Sequence, residues 1–365
     1  MKTKTLCFSQ NFDDTAVKMK DYMNHYLSET MGKTGYIYDK EVAFSTKEDI
    51  LKAEMKQQVE ALAGVNFSDS DVAQSLFAKH PSVKWAAMAV VESLIDMILP
   101  DVLVKEIGMF VDFRNLNAGD SAAFHIKPND LFYVSKAGRN QRVTEFQRQF
   151  DSTTTIIPEV RALTVDANLY RIICGMDSLA DLVMKAVLSL ETLIRKEVYG
   201  SLNAAMLALP STPADGALKV TGYTKPTAIK LAQTVQAYNN GMKPIFVGTK
   251  LALSKILPTD SNFRYEETSS LFKLGYIPTP FGYDCFELEQ VADWADKYKL
   301  VLDDTTIYVI SPGAGKLIKF VYEGIPMEST VEANESADRT TAVCIQKSYG
   351  FAVATNATAG VIVVE

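Results

Sequence analysis

Asp177-Ser-Leu-Ala-Asp-Leu-Val-Met-Lys-Ala-Val-Leu-Ser-Leu-Glu-Thr-Leu-Ile-Arg-Lys-Glu-Val-Tyr-Gly-Ser-Leu-Asn-Ala-Ala-Met-Leu207 reads as one long helix. Asp177 or Ser178 supplies a side-chain cap for the first free amides, and Asp181 lies in the first turn, where the helix dipole favours a carboxylate. Leu179, Leu182, Val183, Ala186, Val187, Leu190 and Ile194 recur at helical spacing and make one apolar stripe. Glu191 and Arg195 form an i,i+4 pair in the favourable order. The pattern continues past Gly200, where a bend is expected, to Pro210. Thirty-odd residues at about 1.5 Å each make a rod of roughly 48 Å.

Upstream of the rod the chain turns from helical to β-prone. Between Val102 and Cys174 it is rich in Val, Ile, Phe, Tyr and Thr, punctuated by Gly, Asn and Asp. Asp120-Ser-Ala-Ala-Phe-His-Ile-Lys127 ends at Pro128, Leu131 to Lys136 ends at Gly138, and Arg142 to Phe150 alternates. Thr153 to Ile173 is a long β run interrupted at Pro158. These predict antiparallel strands in an extended ribbon. Its charge is unusual. Lys127, Lys136, Arg139, Arg142 and Arg148 face only Asp130 and Glu145, a net of +3 in a chain of net −7, so the remainder carries −10. Ordinary solvated charges would explain this, and so would a basic arm laid on an acidic neighbour. A two-stranded ribbon is marginal alone, and Phe132, Tyr133, Val134 and Phe146 need cover.

Further upstream, residues 1–100 read as amphipathic helices. Val17, Met19, Tyr22, Met23 and Tyr26 fit a stripe, Asp49 to Leu62 is rich in helix formers, and Trp85, Met88, Val91, Ile95 and Leu99 share one face of a helix ending before Pro100. Downstream of the rod, residues 211–222 read as a loop. A helix from Thr227 to Tyr238, a turn at Asn239-Asn240-Gly241, a buried strand Pro244 to Val247 and a helix capped by Thr249 form a small α/β unit. Strands follow at Cys285–Leu288, Thr306–Ile310, Leu317–Tyr322, Thr340–Gln346, Gly350–Thr355 and Val361–Val364.

The chemistry-bearing residues are sparse. Gly32-Lys33-Thr34 and Gly315-Lys316 imitate phosphate loops, but Leu27 and Ile310 stand where the first glycine belongs. Gly119-Asp-Ser121-Ala-Ala123 lacks the second glycine of a nucleophile elbow. His25, His80 and His125 have no ligand spacing, so no catalytic, cofactor or metal residue is assigned. Cys7, Cys174, Cys285 and Cys344 lie far apart and read as reduced thiols. At 365 residues, 47% hydrophobic and 22% charged, the chain is long and apolar enough for a large core. Its pI near 5.2 argues against general nucleic-acid binding. The Met1-Lys-Thr-Lys4 start lacks an apolar run, and Trp85 to Leu99 carries Glu92 and Asp96, so neither a signal peptide nor a membrane span is expected.

This order of parts resembles the major capsid protein of tailed bacteriophages, of the Hong Kong 97 type. Asp120 to Arg142 looks like that family's extended loop, Asp177 to Leu207 its spine helix, Thr224 to about Ser311 its axial domain, and Thr340 to Ala354 its closing peripheral strands. The resemblance implies an α+β fold in five parts: an N-terminal arm over 1–100, the loop and flanking strands over 101–176, the spine helix over 177–222, the axial domain over 223–312, and returning strands over 313–365. It implies a non-enzymatic shell protein that assembles with itself in hexamers and pentamers, in a virion made in the host bacterial cytoplasm. Scaffold, portal and decoration proteins are further partners, and packaged double-stranded DNA lies near without specific binding. Many relatives lose a leading segment to a protease; here a retained arm that straps neighbouring subunits is expected. Contacts between copies are expected at Lys127, Phe132, Tyr133, Lys136, Arg139, Arg142, Phe146 and Arg148. Some relatives cross-link an extended-loop Lys to an Asn of the adjacent subunit; Lys127 or Lys136 and Asn356 stand in those regions, without a recognisable catalytic Glu. A bacterial encapsulin shares the fold but usually lacks so long an N-terminal region. A cytosolic α/β enzyme with an unrecognised site and a ring-forming tail or connector protein are the other readings.

Overall fold

The computed structural model describes residues 12–68, 80–117, 120–129, 131–136, 138–139, 146–167, 177–211, 217–256, 273–294, 296, 298–331 and 341–364. In chain order these form α1 (Phe12–His25), α2 (Phe44–Ala63), α3 (Pro81–Ile107), β1 (Val111–Leu116), β2 (Ala122–Ile126), β3 (Ser152–Ile156), β4 (Glu159–Ala167), α4 (Leu179–Leu207), β5 (Lys219–Thr221), α5 (Lys225–Tyr238), β6 (Ile245–Thr249), α6 (Lys250–Ser254), β7 (Cys285–Leu288), β8 (Thr306–Ile310), β9 (Ile318–Val331), β10 (Thr341–Val353) and β11 (Gly360–Val363). The residues group into two compact units. The first is Met1–Lys105, Glu159–Glu191 and Glu323–Ser348; the second is Glu106–Pro158, Thr192–Tyr322 and Tyr349–Glu365.

The first unit is built on helices. α1 runs into a π-helical turn, Tyr26–Thr30, and packs against α2. Met19, Tyr22, Met23 and Leu27 face Leu51, Met55 and Val59 in a buried layer. α3 is strongly apolar and buries most of its length, while Trp85, Met97 and Val104 stay exposed. It does not stop before Pro100 as expected but continues to Ile107 with the proline inside. Proline removes one hydrogen bond and crowds the preceding turn, at a cost of about 3 kcal/mol. Leu99, Val102 and Leu103, all buried, offset that cost by packing on both sides of the break.

A buried ion cluster ties the returning strand to α3. Lys347 on β10 is only 1% exposed. Its ammonium donates to Glu92 at 3.2 Å and to Asp96 at 2.6 Å. Desolvated charges survive only with such partners, because removing one member strands the others in a poor solvent.

The second unit holds the α/β part. Its five-stranded sheet has the order β5-β11-β8-β6-β7. β11 pairs parallel with β5 and antiparallel with β8; β6 pairs antiparallel with β8 and parallel with β7. Residues 219–221, read as loop from the sequence, are thus a strand; three residues are too few to show periodicity, and the open edge of β11 recruits them. α5 and α6 lay Ala228, Leu231, Ala232, Val235, Ala252 and Leu253 over Phe246, Ile307, Val309 and Ile362. Thr224 caps α5 in a reciprocal box with Thr227, and Thr249 caps α6. Cys285, on β7, is a free thiol whose pKa is pushed up to about 12 by burial and the nearby Asp284.

α4 begins two residues inside the expected start. Ser178 accepts from the Asp181 amide, so of the two candidates Ser178 is the cap. Gly200 lies inside the helix, which runs unbroken through it. At about 1.5 Å per residue its 29 residues span roughly 44 Å. Its first half carries Glu191, paired with Lys33 at 3.4 Å. Its second half is gripped by polar partners along the second unit: Arg195 by Glu106 at 3.7 Å, Lys196 by Asp293 at 2.7 Å, Glu197 by the Tyr349 hydroxyl at 3.0 Å, and Asn203 by the Tyr308 hydroxyl at 3.0 Å.

The remaining strands form a sheet of order β1-β9-β10-β4, and β2 pairs with β3. The sequence suggests two strands, Thr340–Gln346 and Gly350–Thr355, with a break over residues 347–349, but β10 runs on through it. Gly350 serves close approach. A Cβ there would sit 2.8 Å from the Ile157 carbonyl oxygen and 2.8 Å from the Ile156 side chain.

Two stability outcomes follow. Lys347→Met, which leaves Glu92 and Asp96 without their cation, should lower unfolding free energy by about 3 kcal/mol in a urea titration, whereas an unchanged midpoint would deny the ion cluster its role. Gly350→Ala should cost about 1–3 kcal/mol, since backbone rather than a movable side-chain end blocks the methyl group; a neutral result would contradict the crossing.

Candidate assembly site

In the second unit the root of the extended loop is fixed by β2 and β3. Their five pairs run from Ala122↔Ile156 to Ile126↔Ser152. Alternation directs Ala122 and Phe124 inward, where they meet Ile156 and Val321, with Leu116 and Ala352 alongside. Arg114 of β1 caps this cluster. Its guanidinium lies 4.1 Å from the centre of the Phe124 ring and donates to the Ala123 carbonyl at 3.2 Å. On the outer face His125 and Thr153, directly opposite each other, bond through Nδ1 and Oγ1 at 3.1 Å.

Beyond β2 the chain is held by amides. The Asn356 side chain donates to the Lys127 carbonyl. Asn240 Nδ2 meets Asn129 Oδ1 at 3.0 Å. Asn239 is fully buried and binds Thr358 twice, donating to its carbonyl at 2.7 Å and accepting from its amide at 2.9 Å. Asn240 sits at φ 55°, a left-handed conformation that asparagine tolerates better than most residues. The Asn-Asn-Gly turn read from the sequence therefore also serves as the seat for the loop.

Past Asn129 the cover ends. Phe132, Tyr133, Val134 and Phe146 are 59%, 73%, 89% and 93% exposed, and Leu131 and Phe150 are exposed as well. Such a run of open apolar side chains is unusual on a protein that acts alone. The expected strand Leu131–Lys136 is not formed, and of the expected strand Arg142–Phe150 the described residues 146–150 belong to no strand while 142–145 lie outside the described residues; the β2–β3 ladder stops at Ile126 and Ser152. Among the described residues the two legs bury little apolar surface, less than would hold a ladder together. One bracket remains. The Gln147 amide accepts from the Tyr133 N–H at 2.7 Å and donates to its carbonyl at 2.6 Å.

Of the eight expected contact residues, Lys127, Phe132, Tyr133, Lys136, Arg139, Phe146 and Arg148 are all exposed on this loop, and Arg142 lies outside the described residues. Arg114, Gln147 and Asn129 escaped the sequence reading, as did the part that Gly350 and the turn residues Asn239 and Asn240 play here. Arg114 stands in an ordinary alternating strand, and nothing local marks its ring contact. Asn356 was singled out as a cross-link acceptor; here its amide binds Lys127 of the same chain through the backbone. Among the described residues no cluster of three or more His, Cys, Asp or Glu side chains is arranged to hold a metal ion, and no helix is long and apolar enough to cross a membrane.

Comparison with known proteins places this arrangement. No curated protein matches the chain significantly. Similar solved structures include the capsid of a native GTA particle, at 12% identity over 71% of this chain and 89% of that chain, with a TM-score of 0.50. The mature capsid of bacteriophage PhiM1 covers 70% of this chain and 85% of its own at 12% identity, TM-score 0.43. Mycobacterium phage Che8 covers 68% and 85% at 15% identity, TM-score 0.41. The fold is the Hong Kong 97 type of phage capsids. A family described as "SPbeta prophage-derived putative capsid protein YonB" matches residues 20–363, nearly the whole chain. The chain belongs to this family of phage capsid proteins, whose role is structural and not enzymatic.

Proposed function

We propose that this protein self-assembles, as hexamers and pentamers, into the icosahedral shell that encloses double-stranded phage DNA. The observation that carries the proposal is the loop: a root packed into its own unit and a tip whose described apolar side chains are mostly exposed. Each of those side chains, if buried against another copy, would contribute about 1.5–3 kcal/mol, enough in sum to drive repeated association. Lys127, Phe132, Tyr133, Lys136, Arg139, Arg142, Phe146 and Arg148 are the proposed contact residues, the basic ones steering the loop toward the acidic remainder of a neighbour. The net charge of −7 suits a wall that stands beside DNA without gripping it.

The five-part division read from the sequence becomes a division of labour. The stretch 177–222 is the lever, 101–176 and 1–100 are straps, 223–312 closes the rings, and 313–365 returns to the peripheral strands. Assembly takes place in the host bacterial cytoplasm, with scaffold, portal and decoration proteins as further partners, and the product is the virion.

Negative-stain microscopy of the purified protein should show closed polyhedral shells; a population of 40.3 kDa monomers at every concentration would refute the proposal. A double variant, Phe132→Ser with Phe146→Ser, should keep the melting temperature of the free subunit, because both side chains are exposed there. The same variant should lower shell yield by roughly tenfold or more, the loss expected when interface anchors are truncated. Normal yield would show that the loop tip is not an anchor.

A further inference from the structure

We infer that Lys347 and Asp96 condense into an amide within each copy of the chain, with Glu92 carrying the protons. This goes beyond the shell function and does not rest on it, because the bond joins two segments of one subunit.

A lysine stands where the strand calls for an apolar residue. Along β10, Ile345, Lys347 and Tyr349 are buried while Gln346 and Ser348 between them are partly exposed, so Lys347 takes an inward position. Glu92 and Asp96 lie one turn apart on the same face of α3. The Lys347 ammonium is 2.6 Å from Asp96 Oδ1 and 3.2 Å from Glu92 Oε1. Side-chain exposure is 1% for Lys347, 4% for Glu92 and 24% for Asp96. Lys47, the other buried lysine among the described residues, gives its protons to the Asp21 carboxylate and the Asp39 carbonyl. Lys347 instead meets two carboxylates, one to be attacked and one to serve as base.

Burial sets the direction of the chemistry. Opposite charges out of water are held at a large desolvation cost, and turning the pair into an amide removes both charges. A desolvated lysine amine is also an activated nucleophile. A nitrogen hydrogen-bonded to a carboxyl oxygen stands about 3–3.5 Å from its carbon, a near-attack separation, and holding it there replaces a bimolecular encounter. The proton balance closes inside the cluster. One ammonium proton passes to the Asp96 carboxylate, leaving a neutral amine beside a neutral acid. The nitrogen lone pair attacks Asp96 Cγ, Glu92 takes the proton that the nitrogen sheds, and Glu92 delivers it to the departing hydroxyl. One N–C bond forms, one C–O bond breaks, one water leaves through the partly exposed side of Asp96, and nothing is oxidised or reduced. Glu92 remains as acceptor for the new amide N–H. The bond would tie α3 to β10 across 251 positions of sequence, a closure that restricts the unfolded chain.

The test is the intact mass of the full chain, incubated under native conditions and then denatured. It should fall short of the sequence mass by one water. Trypsin should release residues 85–105 joined to residues 340–365 through Asp96 and Lys347. Asp96→Ala should restore the full mass, and Glu92→Gln should form the bond about a hundredfold more slowly. Full sequence mass in the unaltered chain, a lost water that maps to other residues, or an unchanged rate in Glu92→Gln would overturn the inference. If either variant loses its native circular dichroism, the mass and the branched peptide of the unaltered chain decide.

Discussion

Phe124, pressed between Ile156, Val321 and the Arg114 guanidinium, is the contact on which the functional reading depends. It fixes where the loop leaves the second unit and allows the tip to be apolar without collapsing. Were the root as loose as the tip, hydrophobic attraction would fold Phe132, Tyr133, Val134 and Phe146 onto the nearest surface of their own chain. A well-packed base with an uncovered end makes burial available only between molecules. Gly350 belongs to the same constraint, since the Ile156–Ile157 backbone approaches β10 too closely to admit a side chain.

A second constraint is rigidity. α4 is one uninterrupted helix of 29 residues, and Glu191, Arg195, Lys196, Glu197 and Asn203 each have a side-chain partner. Isolated surface ion pairs contribute little, but these groups are largely desolvated and several are hydrogen-bonded, so they specify orientation even where their net contribution to stability is small. A lever of this length transmits force only if it does not hinge. Partners spread along the flanks of Gly200 resist the bend that the residue's own freedom would permit.

Much of this was legible in the sequence because it rests on local periodicity. The α4 stripe, the Thr249 cap, and the strands Cys285–Leu288 and Thr306–Ile310 emerged with nearly the right ends. What was missed depended on distant partners. Pro100 looked like a stop, and only the burial of Leu99, Val102 and Leu103 keeps the helix going through it. Thr340–Gln346 and Gly350–Thr355 looked like two strands, and only the crossing backbone shows why a glycine stands inside one continuous strand. The loop legs looked like strands because their residues favour that conformation, but propensity without a partner surface does not make a ladder. Exposure of the contact residues followed directly from their having no internal complement. Arg114 could not be read, because it has no pattern of its own, and Asn239-Asn240-Gly241 was legible as a turn but not as the seat of the loop.

The central claim is that the loop tip finds its cover on another copy. Hydroxyl-radical footprinting of Tyr133 and Phe146, in the free subunit and in the assembled shell, measures that cover side chain by side chain. The account predicts that oxidation of both falls several-fold when shells form, as expected for aromatic anchors passing from solvent into a packed interface. Equal oxidation in the two states, with shells intact, would contradict it.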